Sequence, residues 1–163
     1  MGKTGIVAFA FGSPETIRSN QRIAHIASQN AIKLGAPVYT QLDIYIHLEI
    51  RTEYIAEEVG NPPPTLRIAK GAVRWAKQRG ITELLVIAAK PHLWRCVRDL
   101  IRSARETQTQ IMIRVCEEIE QYPKNSWFCP ESTQTRTQSE KNWQKREWFL
   151  KLLPFFIYKR IAN

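Results

Sequence analysis

The sequence predicts an α/β fold: a three-layer sandwich around a mainly parallel, doubly wound, Rossmann-like sheet. Short unbroken apolar runs such as "GIVAFAFG" (5–12) and "ELLVIAA" (83–89) read as strands buried on both faces. Between such runs lie helix-length segments whose apolar residues recur at spacings of three and four. Strands that alternate with helices of this length imply parallel pairing through right-handed crossovers.

Taken in order, the first run ends at Gly12, and Ser13 and Pro14 look like an N-cap and first position of a helix reaching Lys33 before Gly35. "PVYTQLDIYI" (37–46) is the second strand and "EIRTEYIAEEVG" (49–60) the second helix. "NPPP" (61–64) is a rigid connector, after which Thr65 caps a helix running to Gly80. "ELLVIAA", "HLWRCVRDLIRSARE" and "QIMIRVCEEI" continue as strand, helix and strand. The expected parallel strands are thus 5–11, 37–43, 83–89 and 110–116. Residues 121–139, rich in Thr, Gln and Ser with two prolines, read as a long polar loop. Residues 140–163 resume as a helix kinked at Pro154, expected to pack its Trp148 and Leu152 side on the rest. The organisation is an α/β ligand-binding domain over 1–120, the loop, and the C-terminal helix on the same domain.

A chain of 163 residues suits one core, with 44% apolar and 24% charged residues. No apolar run reaches the ~18 residues of a membrane span, and the short N-terminal run is too brief for a signal peptide, so the expected location is cytoplasmic. Cys96, Cys116 and Cys129 are widely spaced and expected to be reduced thiols, with no cysteine metal motif. A net charge of +9 allows nucleic acid, an anionic lipid surface or a phosphorylated ligand as partner. From 125 to 163 seven basic residues face three acidic ones.

In an open parallel sheet ligands bind beyond the carboxyl ends of the strands, so the strand-to-helix turns are the candidate sites. In "FGSPE", Gly12 would let backbone approach a ligand and the Ser13 hydroxyl would bind an anion; a plain capped helix start reads the same way. In "AAKPHLWRC", Lys90, His92 and Arg95 crowd one strand end, with His92 and Arg95 on one helical face. Arg22, on the first helix, would have to reach the same pocket. Glu53 stands near the start of the expected second helix, where the dipole favours a carboxylate in any case. A hydrolytic triad of Ser13, His92 and a carboxylate lacks the G-x-S-x-G elbow, and His47 with Glu49 lacks a third metal ligand.

With these residues assembled, the chain resembles the YdcF-like family of unknown function, which includes the envelope-associated SanA and ElyC proteins. The matching features are Arg22-Ile23 on the first helix, Thr52-Glu53, the Thr65 of "PTLRIAKGA", "AAKPHLWRC" in place of a Thr-Ser-x-x-His-x-x-Arg motif, and Arg146-Glu147 on the last helix. The Thr-Ser of that motif is Ala88-Ala89 here. The chain is also similar to the sirohydrochlorin chelatase type, which has a histidine where this chain has Phe11. The YdcF-like resemblance implies a pocket at the strand carboxyl ends that takes an anionic or nucleotide-like ligand, with S-adenosylmethionine or a nucleotide as candidate cofactor and phosphorylated envelope lipid intermediates as candidate substrates. The expected function is binding of a small anionic metabolite through Gly12, Ser13, Arg22, Glu53, Thr65, Lys90, His92 and Arg95. The alternatives are an enzyme acting on a phosphorylated substrate and a basic nucleic-acid-binding module.

Overall fold

The computed structural model describes residues 2–58 and 61–161. Five strands, β1 (Thr4–Ala8), β2 (Val38–Thr40), β3 (Thr52–Tyr54), β4 (Glu83–Ile87) and β5 (Met112–Val115), form one sheet in the order β3-β2-β1-β4-β5. Every pairing is parallel, with Ile6 opposite both Val38 and Leu85. Helices α1 (Arg18–Leu34), α2 (Thr65–Gln78), α3 (Lys90–Glu106), α4 (Glu140–Leu152) and α5 (Phe155–Ile161) complete the fold.

The two-residue period of the central strands divides their side chains between two cores. Ile6 and Ala8 of β1, with Leu85 and Ile87 of β4, meet Ile23, Ile26 and Ala27 of α1. Val7 of β1, with Leu84 and Val86 of β4, meets Ile68, Ala72 and Val73 of α2 and Cys96 and Leu100 of α3. This placement is the right-handed, doubly wound arrangement that the alternation of elements implies. The order of connection reverses between β1 and β4, so a crevice opens beyond the carboxyl ends of those two strands.

Three local expectations need correction. Residues 49–60 do not form a helix: Thr52–Tyr54 is β3, held by Val38 N–H donating to the Arg51 carbonyl and Ile55 N–H to the Thr40 carbonyl. The crossover from β2 to β3 is helix-free, and Ile44, Ile46 and Ile50 cover that face of the sheet instead. Helix α1 starts at Arg18, four residues beyond Pro14, because Asn20 takes over the polar groups of the turn. The Phe11 N–H donates to Asn20 Oδ1 at 2.9 Å, while Asn20 Nδ2 donates to the carbonyls of Gly12 and Pro14 at 3.1 and 3.0 Å.

The expected polar loop also carries core. Three short 3-10 turns, at Glu117–Gln121, Lys124–Trp127 and Thr135–Thr137, fold it against the sheet, and Trp127, Phe128 and Cys129 are buried with the α1 face. Pro154 lies between α4 and α5 and separates them into two helices. Helix α4 turns Trp143, Glu147 and Leu150 inward, whereas Trp148 and Leu152 are exposed. The inward face contains a carboxylate, so hydrophobicity alone selected the wrong side. All three cysteines are free and buried, and among the described residues no helix is long and apolar enough to cross a membrane.

Candidate functional site: an arginine-lined pocket at the strand switch point

A cavity of about 190 Å³ lies in the crevice beyond β1 and β4. Its floor is Ala10, Phe11 and Gly12 from the β1 turn, and its walls come from the start of α2 and the first turns of α3. The remaining wall is C-terminal: Arg136 and Thr137 from a 3-10 turn, Trp143, Arg146 and Leu150 from α4, and Tyr158 from α5.

His92 and Arg95 both face this cavity and are only 7% and 6% exposed. Pro91 and the apolar end of β4 fix the start of α3, and the spacing of three puts both residues on its inward side. His92 packs among aromatic rings, with its centroid 5.4 Å from that of Trp143 and 6.2 Å from that of Phe11. Its Nε2 lies 2.9 Å from the Thr65 hydroxyl. Burial holds its pKa well below the ordinary imidazole range, helped by the guanidiniums of Arg95, Arg136 and Arg146, while the Ala10 backbone pulls the other way. The ring is therefore neutral, and Nδ1 has no hydrogen-bond partner of standard geometry among the described residues.

Arg95 lies against Trp143, with its guanidinium carbon 5.3 Å from the ring centroid. One of its terminal nitrogens is 3.1 Å from Glu147 Oε1, in ion-pair range but outside hydrogen-bond geometry, and its Nε is buried without a partner. Burial lowers the pKa of Arg136 to about 10, reinforced by Arg146 and then Arg95. Arg146 is lowered by burial and by Arg95, against which Glu147 and Tyr158 act. Three guanidiniums thus share one pocket with a single facing carboxylate, Glu147. Such desolvated like charges are costly unless an anion joins them.

Tyr158 anchors the C-terminal wall from behind. Its hydroxyl donates to Asp99 Oδ2 at 2.6 Å, and Asp99, fully buried on α3, also pairs with Arg98 at 2.8 Å. Arg136 is positioned by the way its loop lies on the β1 turn. Thr133 N–H donates to the Ser13 carbonyl at 2.8 Å, and the hydroxyls of Ser132 and Thr137 are 2.8 Å apart. Gly12, at φ +99°, makes room for this: a Cβ there would stand 2.6 Å from Ser132 Oγ and 2.7 Å from Thr137 Oγ1. The sequence suggested that Gly12 lets a ligand approach; its closest neighbours are the loop that carries Arg136.

Of the residues singled out in the sequence, the fold therefore gathers Gly12, Thr65, His92 and Arg95. The other four point elsewhere. The Ser13 hydroxyl donates to Asp43 at 2.9 Å and so does not pair with His92, which leaves the hydrolytic triad unassembled. Arg22 donates to the carbonyl and hydroxyl of Ser126 and stacks on Tyr122 and Trp127, because its position on α1 faces the 3-10 turns. Glu53 is on a strand and pairs with Arg79 at the far end of α2, 2.7 Å away. Lys90 leaves the opposite side of its helix turn and pairs with Glu120 at 2.6 Å. Helix α2 is not capped by Thr65, whose hydroxyl goes to His92 instead; Pro64 precedes the helix. Among the described residues no group of three His, Cys, Asp or Glu side chains is placed to hold a metal.

Arg136, Gln41 and Tyr158 escaped sequence reasoning. A lone arginine in the Thr/Gln-rich "STQTRTQS" was the one signal for Arg136. Arg146 and Glu147 stood out only through the YdcF-like resemblance, and Arg146 does line the pocket. The chain matches no family model and no curated protein.

Proposed function

We propose that this pocket binds a small anionic metabolite by a dianionic phosphate group. The observation that carries the reading is the cluster of Arg95, Arg136 and Arg146, half sunk in protein and facing one carboxylate. Three positive charges against one leave a surplus of two, the charge of a phosphate monoester near neutral pH. Arginine offers planar paired donors suited to phosphate oxygens, and the partnerless Arg95 Nε adds one more buried donor. A volume of about 190 Å³ is below the ~300–1,000 Å³ of pockets that enclose a whole cofactor. It suits an anionic head group with the rest of the ligand in the mouth, beside Pro62, Pro63 and Pro64.

The same charge ranks the other candidates. A nucleotide phosphate fits the cluster, whereas the sulfonium of S-adenosylmethionine would meet three guanidiniums. Nucleic acid is less favoured, since these arginines line a recess and not an exposed ridge that could track a backbone.

The Thr65–His92 contact supports a second reading, hydrolysis of the bound ester. A neutral imidazole 2.9 Å from a hydroxyl, beside three guanidiniums, can take a proton from that hydroxyl or from water while the arginines hold charge developing on phosphoryl oxygens.

The test is calorimetric titration with inorganic phosphate and a panel of phosphomonoesters. Binding that falls by about 1.5–3 kcal/mol in Arg136→Gln and Arg146→Gln is expected. Phosphoesters that neither bind nor stabilise the wild type at millimolar concentration would refute the reading. Phosphate release that is lost in His92→Gln while binding persists would establish the hydrolytic alternative.

A further inference from the structure

The outward face of α4 and α5 is unlike the rest of the surface. Trp148 and Phe156 are each 69% exposed, Leu152 63% and Phe149 55%, and Trp94 of α3 joins them at 52%. Lys151 bridges the two groups, with its ammonium 5.1 Å from the Trp94 centroid. Five exposed cations, Lys141, Lys145, Lys151, Lys159 and Arg160, stand around these apolar residues. Among the described residues Lys141, Lys145 and Arg160 have no ion-pair partner. Lys141, Lys145, Trp148 and Leu152 follow one another at spacings of four, three and four, so they form a single stripe along α4.

We infer that this face docks the protein on an anionic lipid bilayer. Aromatic and aliphatic side chains ringed by lysines match the two-part chemistry of such a surface: the rings enter the headgroup boundary while the cations meet lipid phosphates. A partner protein with an acidic rim could satisfy the charges, but large tryptophan and phenylalanine side chains at the tip of short helices fit a soft, laterally mobile surface without a shaped counterpart. The helices that present the patch also line the pocket through Trp143, Arg146, Leu150 and Tyr158. Docking would therefore hold the pocket beside the bilayer. The inference stands on the outer face and does not require the pocket to bind phosphate.

The experiment is co-sedimentation of the full chain with phosphatidylcholine vesicles, with or without about a third phosphatidylglycerol. Expected are binding to the anionic vesicles only, its loss in high salt, and a fall of about tenfold or more in Trp148→Ser/Phe156→Ser and in Lys141→Gln/Lys145→Gln. Both double variants change exposed residues and should unfold at the wild-type temperature, while Arg136→Gln should sediment as wild type. Wild type that stays in the supernatant, or binding that survives both double variants, would overturn the inference. Binding lost in Arg136→Gln alone would also overturn it, because lipid would then be held by the pocket. So would a dimer in sizing experiments that the Trp148/Phe156 changes dissolve, if vesicles are not bound.

Discussion

Arg95 of α3 and Glu147 of α4 face each other 3.1 Å apart, both almost wholly buried. The contact joins the doubly wound sheet domain to the C-terminal helices at the pocket wall, and it places the one carboxylate where a bound anion would compete for the same guanidinium. Neutralising Glu147 should therefore act in opposite directions on stability and binding. Glu147→Gln is expected to cost about 3 kcal/mol without ligand, because a buried guanidinium loses its counter-charge. Added phosphate should recover more stability in this variant than in wild type. Denaturant unfolding with and without phosphate measures both, and equal recovery would show that the carboxylate does not compete.

Arg136 presents the complementary case. Its pKa, lowered to about 10, means that the folded state disfavours the charged form relative to the unfolded chain, whose arginine stays near 12.5. At neutral pH that difference subtracts from stability. Arg136→Gln is thus expected to raise the stability of the ligand-free protein by about 1–2 kcal/mol while weakening phosphate binding. Wild-type binding should fade as pH rises through about 10. A destabilised variant in urea unfolding would count against a ligand-free repulsion.

His92 should set an acid limit on stability. Its folded pKa lies well below the value of about 6.5 that the unfolded chain has, so the unfolded state binds a proton that the folded state refuses. Stability is then intact above about pH 6.5 and is lost as pH falls below it, by at most ~1.4 kcal/mol per unit. In His92→Gln this part of the slope should disappear. Urea midpoints taken between neutral and mildly acid pH will decide, and parallel curves for the two proteins would contradict the assignment.

Tyr158 ties α5 to the buried Asp99 through a 2.6 Å hydrogen bond, and burial raises its pKa further above the phenol range. Tyr158→Phe deprives a buried carboxylate of one donor and should cost about 1.5–3 kcal/mol. Because Arg98 still pairs with Asp99, the loss should fall first on the tail, read as faster proteolysis after α4. Unchanged proteolysis would mean that apolar packing alone holds α5.

Gly12 tests the seam between the β1 turn and the Arg136 loop. Gly12→Ala puts a methyl group against Ser132, Thr137 and Ile17 and forces φ +99° on an L side chain. A loss of about 2 kcal/mol or more is expected, with weaker phosphate binding as the loop lifts. A variant of wild-type stability would show that the loop yields without cost.

The layers of this protein and half of its candidate pocket are legible in the order of its residues. Unbroken apolar runs at β1 and β4 can be satisfied only by helices on both faces, and the turn after β4 could be read because Pro91, His92 and Arg95 are neighbours in the chain. The β2–β3 region misled because a three-residue strand leaves almost no periodic signal beside "AEE", which reads as helix. The rest of the pocket exists only once the chain is folded. Arg136 meets Gly12 across more than a hundred residues through hydrogen bonds of Ser132 and Thr133 to the Ser13 backbone, and no local pattern encodes such a contact. The inward face of α4 was hidden for a related reason. Glu147 is buried because Arg95 waits opposite it, so its environment depends on a charge carried by another helix, while Trp148 and Leu152, apolar by composition, were left facing outward.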